Sequence, residues 1–344
     1  MENFLVLKIL LLATLSFVVS FLITPFFTKF LYRHKLGKQI RDSGSAPIMS
    51  ALHVDKSGTP TMGGVLIWGT TLFLALLFYY FNIIGLINLN FLSRSETWLP
   101  LGVLVISAVV GLIDDWLNIK KIGPSGGGLR VRHRLLIYTA IAAFGAWWFY
   151  YKLDWDILHI PFWGNLPIGW WYIPIFIIVI VATAFSVNET DGLDGLAGGI
   201  LTTAFTAYTA IAFWQGKFDL AIFCAVIVGA LISFLWFNIN PARFFMGDTG
   251  AMSLGVTLGV VAMLTNTALF LPIIGFVFML ESASVIIQVA SKKLRGKKVF
   301  LSAPLHHHLE AIGWPEPKVV MRLWLISGVS AAAGLVMVLL DKGM

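Results

Sequence analysis

Two adjacent carboxylates, Asp114 and Asp115, close one apolar run of the sequence. Asp248 stands in Phe-Met-Gly-Asp-Thr-Gly, and Asn188, Asp191 and Asp194 recur every third position in Asn-Glu-Thr-Asp-Gly-Leu-Asp-Gly. Carboxylates are hard oxygen donors and suit Mg2+, which binds through one or two of them plus the phosphates of a substrate. Cys224 is the sole cysteine, which excludes an intramolecular disulfide and a cysteine-based metal cluster. Neighbouring helical positions point about 100° apart, so Asp114 and Asp115 should face different partners rather than chelate one ion together. Gly247 and Gly250 allow a tight turn and close backbone approach of a ligand around Asp248, and we read that carboxylate as the metal holder. The spacing of three predicts Asn188, Asp191 and Asp194 on one side of a helical turn that Gly192 and Gly195 weaken. His306, His307 and His308 precede Glu310 in a segment rich in Lys and Arg. Three consecutive imidazoles do not converge on one ion in regular structure. Hydrogen bonding to a phosphorylated ligand is the favoured reading, with a solvated loop as its alternative.

The elements that must position these groups are membrane spans. Of 344 residues, 58% are hydrophobic and 12% charged, against roughly 25% charged in a soluble domain. Lipid accepts such a surface provided backbone groups pair internally. Runs near the length of about 20 residues needed to cross a hydrocarbon core fall at about 4–24, 63–81, 98–113, 135–151, 170–187, 196–214, 218–237, 250–266, 269–290 and 320–340. The expectation is an all-α polytopic membrane protein of about ten transmembrane helices, one domain over residues 1–344. The first run lacks a small-residue cleavage site and reads as a retained span. All of the 24 Lys and Arg residues except Lys8, Arg94, Lys152, Lys217 and Lys342 then fall on one side. By the positive-inside rule that side is cytoplasmic and both termini are periplasmic. The formal charge of +7 is therefore a topological signal and no argument for nucleic acid. Every polar cluster named above falls on the same cytoplasmic side, together with Lys56 and His53. Residues 26–40 mix Phe with Lys and Arg and suit an interfacial helix, and the outer segment 152–169 suits a short hairpin at the interface.

These motifs resemble those of the phospho-N-acetylmuramoyl-pentapeptide transferases, a branch of the polyprenyl-phosphate N-acetylhexosamine-1-phosphate transferases. The resemblance runs from Lys56-Ser-Gly-Thr-Pro-Thr-Met-Gly-Gly64 to Ala303-Pro-Leu-His-His-His-Leu-Glu310. The aspartates mark the wider group; the Thr-Pro-Thr-Met-Gly-Gly run and the histidine triplet mark the branch. The resemblance implies transfer of phospho-MurNAc-pentapeptide from UDP-MurNAc-pentapeptide to undecaprenyl phosphate, giving lipid I and UMP with Mg2+. It implies Asp248 as metal ligand, Asp114 or Asp115 acting on the lipid phosphate, and Lys56, Asn188, Asp191, Asp194 and Asn238 lining the nucleotide and diphosphate pocket. Phe245 would stack on uracil, the His triplet would serve the reaction, and the protein would be a homodimer among the lipids of the bacterial inner membrane. Arg134 stands where a Lys is usual, Asn118 where a Lys is frequent, and Glu189 where a Leu is usual. A transferase of GlcNAc-1-phosphate shares the aspartates and is the nearest rival. A transporter would place ionisable groups near mid-membrane, where the sequence offers mainly Glu281.

Overall fold

A computed structural model describes residues 2–37, 56, 58–94, 96–123 and 127–341. Lys38, Arg41 and His53, and residues 124–126, lie outside the described residues. Among the described residues the chain is all-α apart from one hairpin. Its long helices are α1 (Glu2–Arg33), α2 (Gly64–Ile83), α3 (Trp98–Ile119), α4 (Val131–Lys152), α5 (Tyr172–Thr190), α6 (Leu196–Trp214), α7 (Phe218–Asn238) and α8 (Gly247–Leu264). After these come a short α9 (Leu271–Ile274), then α10 (Phe276–Arg295), a short α11 (Leu305–Ala311) and α12 (Glu316–Leu340). Eight of the described helices are long and apolar enough to cross a membrane, so the protein is a polytopic membrane protein. The other two long helices, α4 and α10, cover most of the 135–151 and 269–290 runs. They are less apolar because α4 opens on Arg132, His133 and Arg134 and α10 ends on Lys292, Lys293 and Arg295.

Two expectations change. The 269–290 run is not one helix: Gly275 breaks it between α9 and α10, each with its own start. Residues 26–33 are not a separate interfacial helix, because α1 continues through Pro25 to Arg33. At 1.5 Å per residue its 32 residues extend about 48 Å, longer than the roughly 30 Å hydrocarbon core.

The hairpin expected in 152–169 is present. Ile157–Ile160 (β1) and Gly164–Pro167 (β2) pair antiparallel, with Ile157 opposite Pro167 and Ile160 opposite Gly164. It is pinned by a buried contact of His159 Nε2 with Asp341 Oδ2 at 2.9 Å, and by the Phe162 N–H donating to the same carboxylate at 2.7 Å.

Helix α8 is the axis of the bundle; nearly its whole length is buried. It packs on α3, α5, α2 and α6, and its sequence explains why it can. A Cβ on Gly64 or Gly250 would overlap the other's backbone, and one on Gly111 of α3 would overlap the backbone at Asp248. Small residues at these crossings let helices approach closely where no water drives them together. Ser253 and Thr257 satisfy their hydroxyls within α8, donating to Thr249 O and Ser253 O, whereas the Thr249 hydroxyl crosses to α3 and donates to Ala108 O at 2.8 Å. The close fit at the Asp248 end sets the site, since it brings the C-terminal half of α3 directly against the first turn of α8.

Candidate active site

Asp114 and Asp115 are both fully buried, and as their helical spacing requires they serve different partners. Asp115 faces the start of α8. Its Oδ1 accepts from the Asp248 N–H at 3.1 Å and from Thr61 Oγ1 at 3.1 Å, and its Oδ2 accepts from the Thr249 N–H at 3.0 Å. The first N–H groups of a helix have no partner within it and carry its positive dipole end. Asp115 therefore caps α8 from a neighbouring helix and fixes the backbone of Asp248.

Asp114 faces the other way, towards Arg134 in the first turn of α4. The guanidinium uses three of its nitrogens on three different elements. Nε donates to Asp114 Oδ2 at 2.7 Å, Nη1 to Asn188 Oδ1 at 3.0 Å and Nη2 to Asp248 Oδ2 at 2.9 Å. Asn188 in turn donates from Nδ2 to Asp248 Oδ1 at 2.6 Å. A lysine ammonium, a compact charge, has no planar fork to spread over three acceptors in this way. The arginine at this position is thus the hub that joins α3, α4, α5 and α8. Asp114 and Asp248 bring two carboxylates to this cluster, held by Arg134, by the Asn188 amide and by the Leu129 N–H, which donates to Asp114 Oδ1. A diphosphate entering this cluster adds negative charge, so the donor set fits a hard divalent cation held with the phosphates.

The Asn188–Asp194 segment departs from the expected single helical face. Helix α5 ends at Thr190, and the chain turns through Asp191 to Gly195, whose φ is +80°. Asn188 stays with Arg134, whereas Asp194 is carried to a second cluster. There Lys56 Nζ lies 2.6 Å from Asp194 Oδ1 and 2.5 Å from Glu316 Oε1. Asn240 Nδ2 and the Ala242 N–H donate to Asp194 Oδ2, both at 3.1 Å, and the Asp194 N–H donates to Glu316 Oε1 at 2.8 Å. The Lys56 ammonium also lies 5.9 Å from the half-buried Phe245 ring. Asn238 ties the turn to the next loop, accepting from Gly195 N–H at 3.0 Å and donating to Phe244 O at 2.8 Å. The Thr-Pro-Thr-Met-Gly-Gly run pairs with that loop by backbone bonds, from Phe245 N–H to Pro60 O, Gly63 N–H to Phe245 O and Gly64 N–H to Met246 O, each 2.8 Å.

The three histidines have three different partners. His306 Nδ1 meets Glu281 Oε2 at 3.0 Å, and both residues are fully buried. His307 Nδ1 meets Glu310 Oε2 at 2.8 Å. His308 Nδ1 accepts from the Leu301 N–H at 3.3 Å, on the side of the 297–301 segment. A Cβ on Gly192 would run into His306 Nε2 and lie 3.2 Å from His307 Nε2, so the first two rings press on the same turn that separates Asn188 from Asp194.

Glu316, Asn240 and Thr61 join these clusters without having been singled out from the sequence, and Glu281, noted there only as an ionisable group within a span, turns out to pair with His306. Glu316 sits between two prolines at the first turn of α12, where an acid reads as an ordinary helix cap. Nothing local to Glu281 announces its partner, which lies 25 residues on.

The glycosyl transferase family 4 model matches residues 97–266, and phospho-N-acetylmuramoyl-pentapeptide-transferase signature 1 matches residues 56–67. The chain is 41% identical over 346 residues to the phospho-N-acetylmuramoyl-pentapeptide-transferase of Chloroflexus aurantiacus, covering 97% of this chain and 90% of that protein. It is 40% identical to the protein of the same name from a Geobacillus species, covering 97% and 98%. With that of Rubrobacter xylanophilus the identity is 37%, covering 96% and 97%.

Proposed function

Since the chain belongs to the phospho-N-acetylmuramoyl-pentapeptide-transferase family, we propose a division of labour among its residues for the reaction of that family. The enzyme is a phosphoglycosyl transferase of peptidoglycan synthesis: it passes phospho-MurNAc-pentapeptide from UDP-MurNAc-pentapeptide to undecaprenyl phosphate and releases UMP. A lipid phosphate oxygen forms a bond to the β-phosphorus of the donor. The bond from that phosphorus to the bridging oxygen breaks, and UMP leaves with the oxygen. Phosphoryl transfer of this kind needs positioning and charge neutralisation more than a strong base. The lipid phosphate is already anionic near neutral pH, and direct attack is the route we favour.

The observation that carries the assignment is the three-way grip of Arg134 on Asp114, Asn188 and Asp248. Asp248 would hold Mg2+, with Asn188 beside it, and the ion when bound supplies charge neutralisation to the diphosphate. Asp114 orients the lipid phosphate or takes its residual proton. Arg134 balances the two carboxylates and keeps them apart in the resting site. Asp115 supports from behind by capping α8. Lys56, Asp194 and Phe245 form the nucleotide end, Lys56 held ready by Asp194 and Glu316, with Phe245 available to stack on uracil. Asn238 and Asp191 shape the turn between the two ends, and His306, His307 and His308 order the basic segment beside the sugar. The positive-inside distribution supports a site on the cytoplasmic face of the inner membrane, with about ten spans and both termini outside. A homodimer is the assembly we expect, as the resemblance suggests.

The test is UMP release by purified protein with Mg2+, undecaprenyl phosphate and either UDP-MurNAc-pentapeptide or UDP-GlcNAc. Release with the muramyl donor alone is expected. Release with UDP-GlcNAc alone would overturn the reading in favour of the GlcNAc-1-phosphate transferases.

A further inference from the structure

Outside the aspartate cluster the pair Glu281–His306 is fully buried, and its construction is unusual for a structural ion pair. Glu281 lies in the first half of α10 and His306 in the first turn of α11, and neither is exposed at all. Oε2 of Glu281 receives two donors from the same residue: the backbone N–H of His306 at 3.2 Å and its Nδ1 at 3.0 Å. Two bonds to one residue fix both the place of the helix start and the rotation of the ring. With Nδ1–H donated to the carboxylate, a neutral imidazole presents its Nε2 lone pair on the opposite edge. That edge lies against Gly192. Two polar atoms of the pair, Glu281 Oε1 and His306 Nε2, are buried with no hydrogen-bond partner among the described residues. A pair kept only for stability has no reason to strand such atoms, since buried polar groups are almost always satisfied and apolar residues of like volume would pack as well.

Further hydrogen bonds hold α10 to its neighbours on either side of this pair. Ser282, the next residue of α10, donates to Ser186 Oγ of α5 at 2.7 Å. Gln288, two turns on, accepts from the Val299 and Phe300 N–H groups at 2.9 and 3.0 Å. Helix α10 is thereby tied to α5 just before the turn that carries Asp191 and Asp194. The His306 ring closes the remaining side of that turn, with the His307 ring at 4.1 Å centroid distance behind it. The turn separates Asn188, which belongs to the diphosphate cluster, from Asp194, which belongs to the Lys56 cluster. Glycine is required at 192 because a Cβ there would strike the His306 ring.

We infer that Glu281 is a positioning residue for the transfer reaction: it locks the His306 ring against the Gly192 turn and so sets the spacing between the diphosphate cluster and the nucleotide end of the UDP-sugar site. The inference rests on the function proposed above and adds to it a residue that touches no substrate. A change in that spacing misaligns a bound donor more than it weakens the site for the lipid acceptor, so kcat falls while KM for undecaprenyl phosphate holds.

The experiment compares Glu281→Gln with a double variant, Glu281→Leu with His306→Phe, in the full-length protein. UMP release is normalised to folded enzyme, and the His306 tautomer is read by 15N NMR of labelled histidine. Glu281→Gln is expected to lower kcat at least tenfold, to leave KM for undecaprenyl phosphate within twofold, and to lose the pure Nδ1–H form of His306. The double variant removes the buried polar pair without leaving half of it behind. It is expected to fold and still to lose at least tenfold in kcat, which a merely structural pair would not cause. Turnover at the wild-type rate in the folded double variant overturns the inference, as does Glu281→Gln with kcat and tautomer both unchanged. In either case an active wild type leaves the function itself standing. A wild-type protein that releases no UMP from UDP-MurNAc-pentapeptide instead removes the reading on which the inference depends.

Discussion

Replacing Asp115 by Asn separates the two adjacent aspartates. The carboxylate accepts the N–H groups of Asp248 and Thr249 and the hydroxyl of Thr61 while almost wholly buried. An Asn side chain offers one oxygen and one NH2 group, so a donor of the present set would face another donor. Loss of a charged acceptor costs about 1.5–3 kcal/mol, and loss of the negative charge at the start of α8 costs up to about 2 kcal/mol. The two overlap, so we expect about 2–4 kcal/mol in total. For a protein of this size roughly 2 °C accompanies each kcal/mol, which places the fall in Tm at about 4–8 °C in detergent. The chemistry suffers only through displacement of Asp248, and turnover per folded molecule should stay above about 1% of wild type, in line with the roughly hundredfold cost of a small misplacement. In the proposed division of labour, Asp114→Asn would act on the reacting phosphate itself. Proton transfer and positioning of this kind are worth about 10²–10⁴-fold, so turnover per folded molecule should drop below that of Asp115→Asn. The assay is a thermal melt alongside UMP release for the two variants. An unchanged Tm in Asp115→Asn, with turnover lost as completely as in Asp114→Asn, would refute the capping role and make Asp115 a chemical residue.

Asp248→Asn should abolish nearly all UMP release while the protein still folds in detergent; near-normal turnover would remove Asp248 as the metal holder. At the other end of the bundle a cavity of about 450 Å³, lined by Trp155, His159 and Lys217 among others, holds the Lys217 ammonium against Leu264 O at 2.6 Å. Burial pushes the pKa of Lys217 down to about 8, with nearby Glu96 opposing the shift. Between that value and the usual lysine range near 10.4 the unfolded chain binds more protons than the folded one. Stability contributed by this group therefore rises with pH across the window from about 8 to 10.4, and a Lys217→Met variant should lose that rise in its Tm; a rise of the same size in the variant would place its origin elsewhere. Cysteines placed at Lys120 or Lys298 should react with an impermeant thiol reagent only after the membrane is opened, and one at Trp163 in the hairpin tip should react from the periplasm. The reverse pattern would invert the topology and carry the whole site with it.

The polytopic all-α architecture was legible, with eight of the expected runs long and apolar enough to span, because its signal is length and apolarity, quantities that add over about 20 residues. The break at Gly275 was not, since a short interruption changes neither sum. The unlike roles of Asp114 and Asp115 followed in outline from helix geometry alone: two directions, hence two partners. Which partner each would find depended on how closely α3 approaches α8, which Gly111 and the first turn of α8 decide from residues far apart in sequence. The period-three pattern of Asn188, Asp191 and Asp194 suggested one face, and the glycines that weaken a helix there were the better clue: the chain turns at Asp191 and sends Asp194 to Lys56. Arg134 stood out only as an Arg where the resemblance leads one to expect Lys; its three acceptors come from three elements and no local pattern announces them. Glu281 and Glu316 were opaque for the same reason. Each is a lone acid whose partner is supplied by packing.

We propose that the aspartate cluster brings the lipid phosphate and the donor diphosphate together for direct transfer. It is tested by single-turnover transfer from UDP-MurNAc-pentapeptide labelled with 32P at the β-phosphate, run with Mg2+ and with or without undecaprenyl phosphate. Label should reach the lipid, and UMP appear, only when undecaprenyl phosphate is present, and the protein itself should stay unlabelled throughout. UMP released stoichiometrically with enzyme in the absence of lipid, with the label retained on the protein, would contradict it.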